Sequence, residues 1–176
     1  MDPHLLVYIF ILIILIGISA LCSMTETALS SVSIIRIKAK ARKGDKKSIK
    51  VYRLVKKYSE TVTTILIFNN IVNILSTSLA TYIFSKSLGS SGVAYATIIM
   101  TIVILMFGEI TPKIFGKNNA LDIMYKVTPI FTVLVNIMFP ITKLVQKFEN
   151  KFNKNEKKIT ATEDELLEIV QTIEYE

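Results

Sequence analysis

The sequence predicts an all-α integral membrane domain: three transmembrane helices plus cytoplasmic juxtamembrane or interfacial helices. Two observations carry this. Four stretches, Leu5–Met24, Thr61–Ser85, Ser87–Gly108 and Val127–Thr142, contain no Asp, Glu, Lys or Arg. The basic residues meanwhile collect in one loop, with eleven Lys or Arg against two acids between Ile34 and Glu60. Composition alone is uninformative, because 51% hydrophobic residues is also ordinary for a soluble domain. A soluble helix would carry a charged face, whereas a span needs roughly 20 apolar residues to cross about 30 Å of hydrocarbon. Three of the four stretches reach that length.

The elements follow in order. The first span is expected at about 5–27. Its leader, Met1-Asp2-Pro3-His4, has no basic residue and the apolar run exceeds a signal-peptide core, so the segment reads as a retained span. Cys22 cannot form an internal disulfide and reads as a small packing residue. The second and third spans are expected at about 61–85 and 90–114, joined by a short connection near Lys86. The positive-inside rule makes the Arg36–Lys57 loop cytoplasmic, with the N-terminus outside and the C-terminus in the cytoplasm. A crossing by Val127–Thr142 would put six lysines, Lys143 to Lys158, outside. That segment therefore reads as an interfacial helix at about 127–147, completing a membrane domain over 1–147. Val51, Leu54, Val55 and Tyr58 form an apolar stripe on a lysine-rich helix, expected to lie on an anionic membrane face. Membrane lipid is thus the expected partner. Nucleic acid is not, because the basic run is tied to spans at both ends.

Residues 148–176 are expected to begin a cytoplasmic acidic helical segment, the composition turning abruptly acidic from Ile159. Thr162 and Glu165 fit a capping box opening a helix that contains Leu166, Leu167, Ile169, Val170 and Ile173. Such a helix has little to pack on and is expected to lead into a cytoplasmic domain that this chain lacks.

Polar residues inside the spans mark the candidate site, since in hydrocarbon each must find a partner within the protein. Ser19 and Ser23 lie four apart on the first span, with Glu26 three further on. Asn69, Asn70 and Asn73 interrupt the second span, and Gly108-Glu109-Ile110-Thr111-Pro112-Lys113 closes the third. Singly, each set has a structural explanation in helix packing, back-bonding or contact with water. Together they offer one carboxylate and several neutral oxygens, a donor set for Mg²⁺, Ca²⁺ or Na⁺ rather than zinc or copper. Pro112 cannot donate to the Gly108 carbonyl and crowds it, which is expected to free that oxygen beside Glu109.

The motifs Ser23-Met24-Thr25-Glu26-Thr27-Ala28-Leu29, Asn69-Asn70-Ile71-Val72-Asn73 and Gly108-Glu109-Ile110-Thr111-Pro112-Lys113 resemble the CorC/cyclin M (CNNM) family of magnesium transporters. The likeness runs from about residue 5 to 176, in order and spacing. It implies three spans, a juxtamembrane helical belt, a homodimer and an inward-open cavity. It also implies an acidic helical segment followed by cystathionine β-synthase (CBS) domains that bind ATP; ATP would be a ligand only through those domains, absent here. The Mg²⁺ ligands it implies are Ser19, Ser23, Asn69 or Asn73, the Gly108 carbonyl and Glu109, with Na⁺ as the coupling ion. Cys22, where a bulky apolar residue is usual, and Phe68, where Gly is common, depart from the family pattern.

The leading functional reading is a Mg²⁺ transporter exporting the ion against inward Na⁺. The alternative is a Mg²⁺-sensing membrane anchor for a cytoplasmic regulatory domain. An enzyme is not expected: an intramembrane hydrolase built on Glu109 would lack a His-Glu-x-x-His motif, and the sole histidine is His4.

Overall fold

The computed structural model describes residues 3–152, with side chains from His4 to Phe148. The acidic segment beyond, with the capping box at Thr162 and Glu165, lies outside the described residues. The described chain is helical throughout: α1 (Pro3–Ser31), α2 (Ile34–Arg42), α3 (Lys46–Lys56), α4 (Tyr58–Leu88), a 3₁₀ turn at Gly89–Ser91, α5 (Gly92–Val103), a π turn at Ile104–Ile110, α6 (Thr111–Asn118) and α7 (Ala120–Phe152). The chain divides into two compact units, Met1–Lys143 and Leu144–Glu176. The last turns of α7 are the described part of the second.

α1 and α4 pack antiparallel over most of their length. Tyr8 meets Tyr82 edge to face with ring centroids 5.4 Å apart, the Ser19 hydroxyl bonds Asn69, and the Ser30 and Tyr58 hydroxyls lie 3.0 Å apart. These contacts extend over 22 residues of α1, about 33 Å of helix, the thickness of a hydrocarbon core. Gly89, at φ 65°, ends α4 in a backbone conformation that suits glycine. The chain then folds back so tightly that a Cβ on Gly92 would collide with the Phe84 carbonyl. Among the described residues, three continuous helical stretches are long and apolar enough to cross a membrane: His4–Ser31, Tyr58–Asn118 and Ala120–Phe148. The second contains the Gly89 reversal, so it supplies α4 and, antiparallel to it, α5–α6. The connection comes three residues beyond Lys86, because the helix runs on until a residue can take positive φ.

The loop between α1 and α4 is two capped helices. The Ser33 side chain accepts from the Arg36 N–H and caps α2. The Asp45 carboxylate accepts from the Lys47 and Ser48 N–H groups and caps α3, with Gly44 at φ 87° supplying the turn between them. Here the expected membrane-facing stripe is corrected. Val51, Leu54 and Val55 are buried inside the protein, in one core with Ile37 of α2, Cys22, Ala28 and Leu29 of α1, and Ile123, Met124, Val127, Phe131 and Val135 of α7. Tyr58 leaves the stripe altogether, since α3 ends at Lys56 and Tyr58 opens α4. The stripe meets the apolar face of α7 in that core, where its side chains are removed from water. The Ser48 and Tyr125 hydroxyls, 2.8 Å apart, fix the register of α3 on α7.

α7 runs well past the charge-free stretch that predicted it, through Pro129 and Pro140, because charged residues such as Asp122, Lys126 and Lys143 continue the helix without interrupting the backbone. Its face of Ile123, Met124, Val127, Phe131, Val135 and Met138 is buried, while Ile130, Val133, Ile137 and Ile141 are exposed.

Candidate functional site

The α1–α4 seam is lined by small and polar side chains, the arrangement expected where lipid removes the hydrophobic drive for helix pairing and close packing takes over. Ser19 and Ser23 of α1 are fully buried at 0% exposure and Asn69 of α4 at 9%. The Ser19 hydroxyl donates to the Asn69 carbonyl oxygen at 2.9 Å. The Asn69 amide donates to the Ser23 hydroxyl oxygen at the long distance of 3.5 Å. One asparagine thus spans two serines a turn apart, as their spacing of four allows.

The third wall is the π turn. The disruption expected at Pro112 reaches back over Ile104–Ile110, where the Thr111 N–H donates to the Met106 carbonyl five residues earlier. A widened turn accommodates a proline ring that would crowd the carbonyl four residues back in a regular helix. It also sets Gly108 directly on the serines: a Cβ there would stand 3.1 Å from the Ser19 Oγ. Glu109 follows, half-buried. Ser19, Ser23, Asn69 and Gly108 are therefore brought together by three separate elements, with Glu109 next along the chain.

The three asparagines separate clearly. Asn69 is in the cluster and Asn70 is exposed. Asn73, one turn from Asn69, is half-buried, and its Oδ1 is buried with no hydrogen-bond partner. Glu26, also considered from sequence, stands 3.5 Å from the Lys113 ammonium of α6, so its charge is answered within the fold. Ser76 and Ala80 of α4 are fully buried within the chain, whereas Ser78 is exposed. Small side chains suit a seam inside the protomer as well as one between protomers, and sequence does not tell these apart.

Sequence reasoning missed Gly116. A Cβ on it would collide with the Met24 backbone carbonyl, so α6 crosses α1 there in backbone contact just beyond the serine pair. Its eight-residue spacing from Gly108 places both near one helix face, a signal of close packing that was available.

Chemically, the cluster is oxygen-rich and uncharged. Each hydroxyl keeps lone pairs after the bonds above, and among the described residues no group of three His, Cys, Asp or Glu side chains could hold a metal ion. A cation here would meet neutral oxygens, with the Glu109 carboxylate one residue along the chain from Gly108. Because Ser19 and Ser23 are fully buried, reaching them requires α1, α4 and the π turn to part.

Comparison with known proteins places the chain. The model of the cyclin M transmembrane N-terminal domain matches residues 10–176. A UPF0053 protein of Haemophilus influenzae is 37% identical over 138 residues, 78% of this chain and 33% of its own length. The UPF0053 inner membrane protein YfjD of Escherichia coli is 33% identical over 73% of this chain and 30% of its own. The metal transporter cnnm-4 of Caenorhabditis elegans is 29% identical over 83% of this chain and 33% of its own. The chain thus spans about a third of the length of these relatives. It is a multi-pass membrane protein, and it belongs to the cyclin M transmembrane domain family.

Proposed function

We propose that this chain is the ion-carrying membrane domain of a Mg²⁺ transporter, binding the ion between α1, α4 and the π turn and exporting it against inward Na⁺. The observation that carries the reading is the buried Ser19–Asn69–Ser23 cluster closed by Gly108. A buried polar cluster is costly in a membrane domain and characteristically marks an ion or substrate path. The metal-transporter name of the nematode relative agrees with a cation as cargo. Ser19, Ser23, Asn69, the Gly108 carbonyl and Glu109 are the assigned ligands. Asn73 is the alternate amide, its unpartnered Oδ1 one turn further along the same helix.

Mg²⁺ takes six oxygens at about 2.0–2.1 Å and loses water reluctantly, so a site with one carboxylate holds it weakly enough to release it. In this reading α2 and α3 lie on the cytoplasmic side, the N-terminus is outside, and α7 is an interfacial helix lying along them. The protein works as a homodimer, with the regulatory ATP-binding domains in sequence beyond this chain.

Isothermal titration with Mg²⁺ tests the site. Glu109→Gln keeps shape and removes charge, and is expected to weaken binding most. Ser19→Ala follows, since it deletes an oxygen and the bond that aims Asn69; Ser23→Ala, which water can replace, follows last. Glu109→Gln binding as tightly as the parent would move the site elsewhere. Mg²⁺ efflux from proteoliposomes with and without a Na⁺ gradient tests the coupling, and separates a transporter from a sensing anchor.

A further inference from the structure

With the apolar stripe of α3 buried in the protein, the basic loop meets its surroundings through a different feature. α2 and α3 flank an open cleft of ≈ 430 Å³, within the roughly 300–1,000 Å³ range of small-ligand sites. Its rim is cationic, with Lys38 and Arg42 from α2 and Arg53 and Lys56 from α3; its floor includes Ile49 and Tyr52. No acid lines it. The two acids of this stretch are engaged elsewhere: Asp45 caps α3, and Glu60 stands 3.2 Å from Lys57. Among the described residues, no acid lies in ion-pair range of Arg42, Arg53 or Lys56.

We propose that the α2–α3 cleft is a binding site for the phosphate headgroup of an anionic glycerophospholipid. The cleft sits on a segment tied to membrane helices at both ends, α1 ending at Ser31 and α4 opening at Tyr58, so a bilayer surface is always within reach. Ile34 and Ile35, at the start of α2, are 44% and 68% exposed. An exposed apolar pair directly after a span suits the boundary between headgroups and acyl chains. Arginine guanidinia offer forked donors matched to phosphate oxygens, the Tyr52 hydroxyl adds another donor, and the apolar floor accommodates the glycerol backbone. The site needs only that α2 and α3 lie at a membrane surface, and is independent of which ion the spans carry.

The test is native mass spectrometry of the full chain, titrated with phosphatidylglycerol in detergent, with phosphatidylcholine as the neutral comparison. One phosphatidylglycerol is expected to bind more tightly than any later one, and more tightly than phosphatidylcholine. Arg42→Gln with Arg53→Gln should weaken that first site on the order of thirty-fold, from the attraction typical of each cation near an anionic surface. Lys46→Gln with Lys47→Gln removes the same charge outside the cleft and should leave binding within a few-fold of the parent. Should the arginine double variant fail to fold, Arg42→Gln alone on the exposed rim is expected to cost about five-fold. Equal losses in both double variants, or no saturable first lipid, would overturn the site. Displacement of the lipid by an equal concentration of soluble glycerol phosphate would overturn the lipid assignment in favour of a free phosphate.

Discussion

The two ends of this membrane domain are held together by different means. At the basic end, α2, α3 and α7 bury Ile37, Val51, Leu54, Val55, Met124 and Phe131 in a conventional apolar core; α2 and α3 turn most of their lysines outward, while α7 also exposes Ile130, Val133, Ile137 and Ile141. Along the spans the balance shifts: Ser19, Ser23, Thr64, Asn69, Ser76, Ala80 and Ala96 join Ile65, Val72 and Met100 among the buried positions, while Phe10, Ile13, Ile74, Ile98 and Phe107 face outward. The solvent explains the shift. Water drives apolar side chains inward at the basic end. Lipid tails are as apolar as leucine, so helices in the bilayer gain by close approach and polar bonds instead.

Paired phenylalanines give the largest contrast. Phe131→Ala, at 1% exposure, should cost about 3–5 kcal/mol by emptying the core between α7 and α3. Phe10→Ala, 64% exposed on α1, should change stability by no more than about 0.5 kcal/mol. Thermal unfolding of both in the same detergent checks this, and equal losses would break the proposed division.

Glycines sharpen it next. Gly116→Leu forces a side chain into the Met24 carbonyl and should cost about 1–3 kcal/mol, as overpacking does. Gly17 on α1 has open space around it, so Gly17→Ala should be neutral or stabilise by about 0.5–1 kcal/mol through helix propensity. Melting temperatures of the two variants should move in opposite directions, or only the first should move.

A smaller effect is expected in the polar seam. Asn69→Ala should cost about 0.6–1.7 kcal/mol, the range of side-chain hydrogen bonds between membrane helices, while weakening Mg²⁺ binding by more than the stability change suggests. Denaturant titration and calorimetry on one sample would separate the two losses. Proportional losses would make the cluster purely structural.

The smallest effect is a pH dependence confined to the basic end. The Ser48 hydroxyl, then the Ser48 and Lys47 N–H groups, hold the Asp45 carboxyl below its usual range. A lowered folded value means the cap stabilises above the unfolded aspartate value of about 3.9 and is lost as pH falls through the folded one. Asp45→Asn, itself a good cap, should melt below the parent at neutral pH, and the gap should close as pH drops below about 4. A gap that persists at pH 2 would assign the difference to something other than this carboxylate.

Sequence alone determined the helical membrane class and the approximate position of each span, because a charge inside hydrocarbon is too costly to be placed casually and its absence over 20 residues can be read directly. It also singled out Ser19, Ser23, Asn69, Asn73, Gly108 and Glu109 as the residues to watch, with the choice between the two asparagines left open, since polar groups in apolar runs need partners. Only the tertiary structure decided who those partners are. Asn69 rather than Asn70 joins the serines, because of how α4 is rotated against α1. Glu26 pairs with Lys113, Ser76 and Ala80 pack within the chain, and the α3 stripe meets α7 rather than lipid. Each of these is a choice among surfaces of the same chemical kind. Periodicity shows that a face must be covered; the covering surface is set by contacts between residues far apart in the chain.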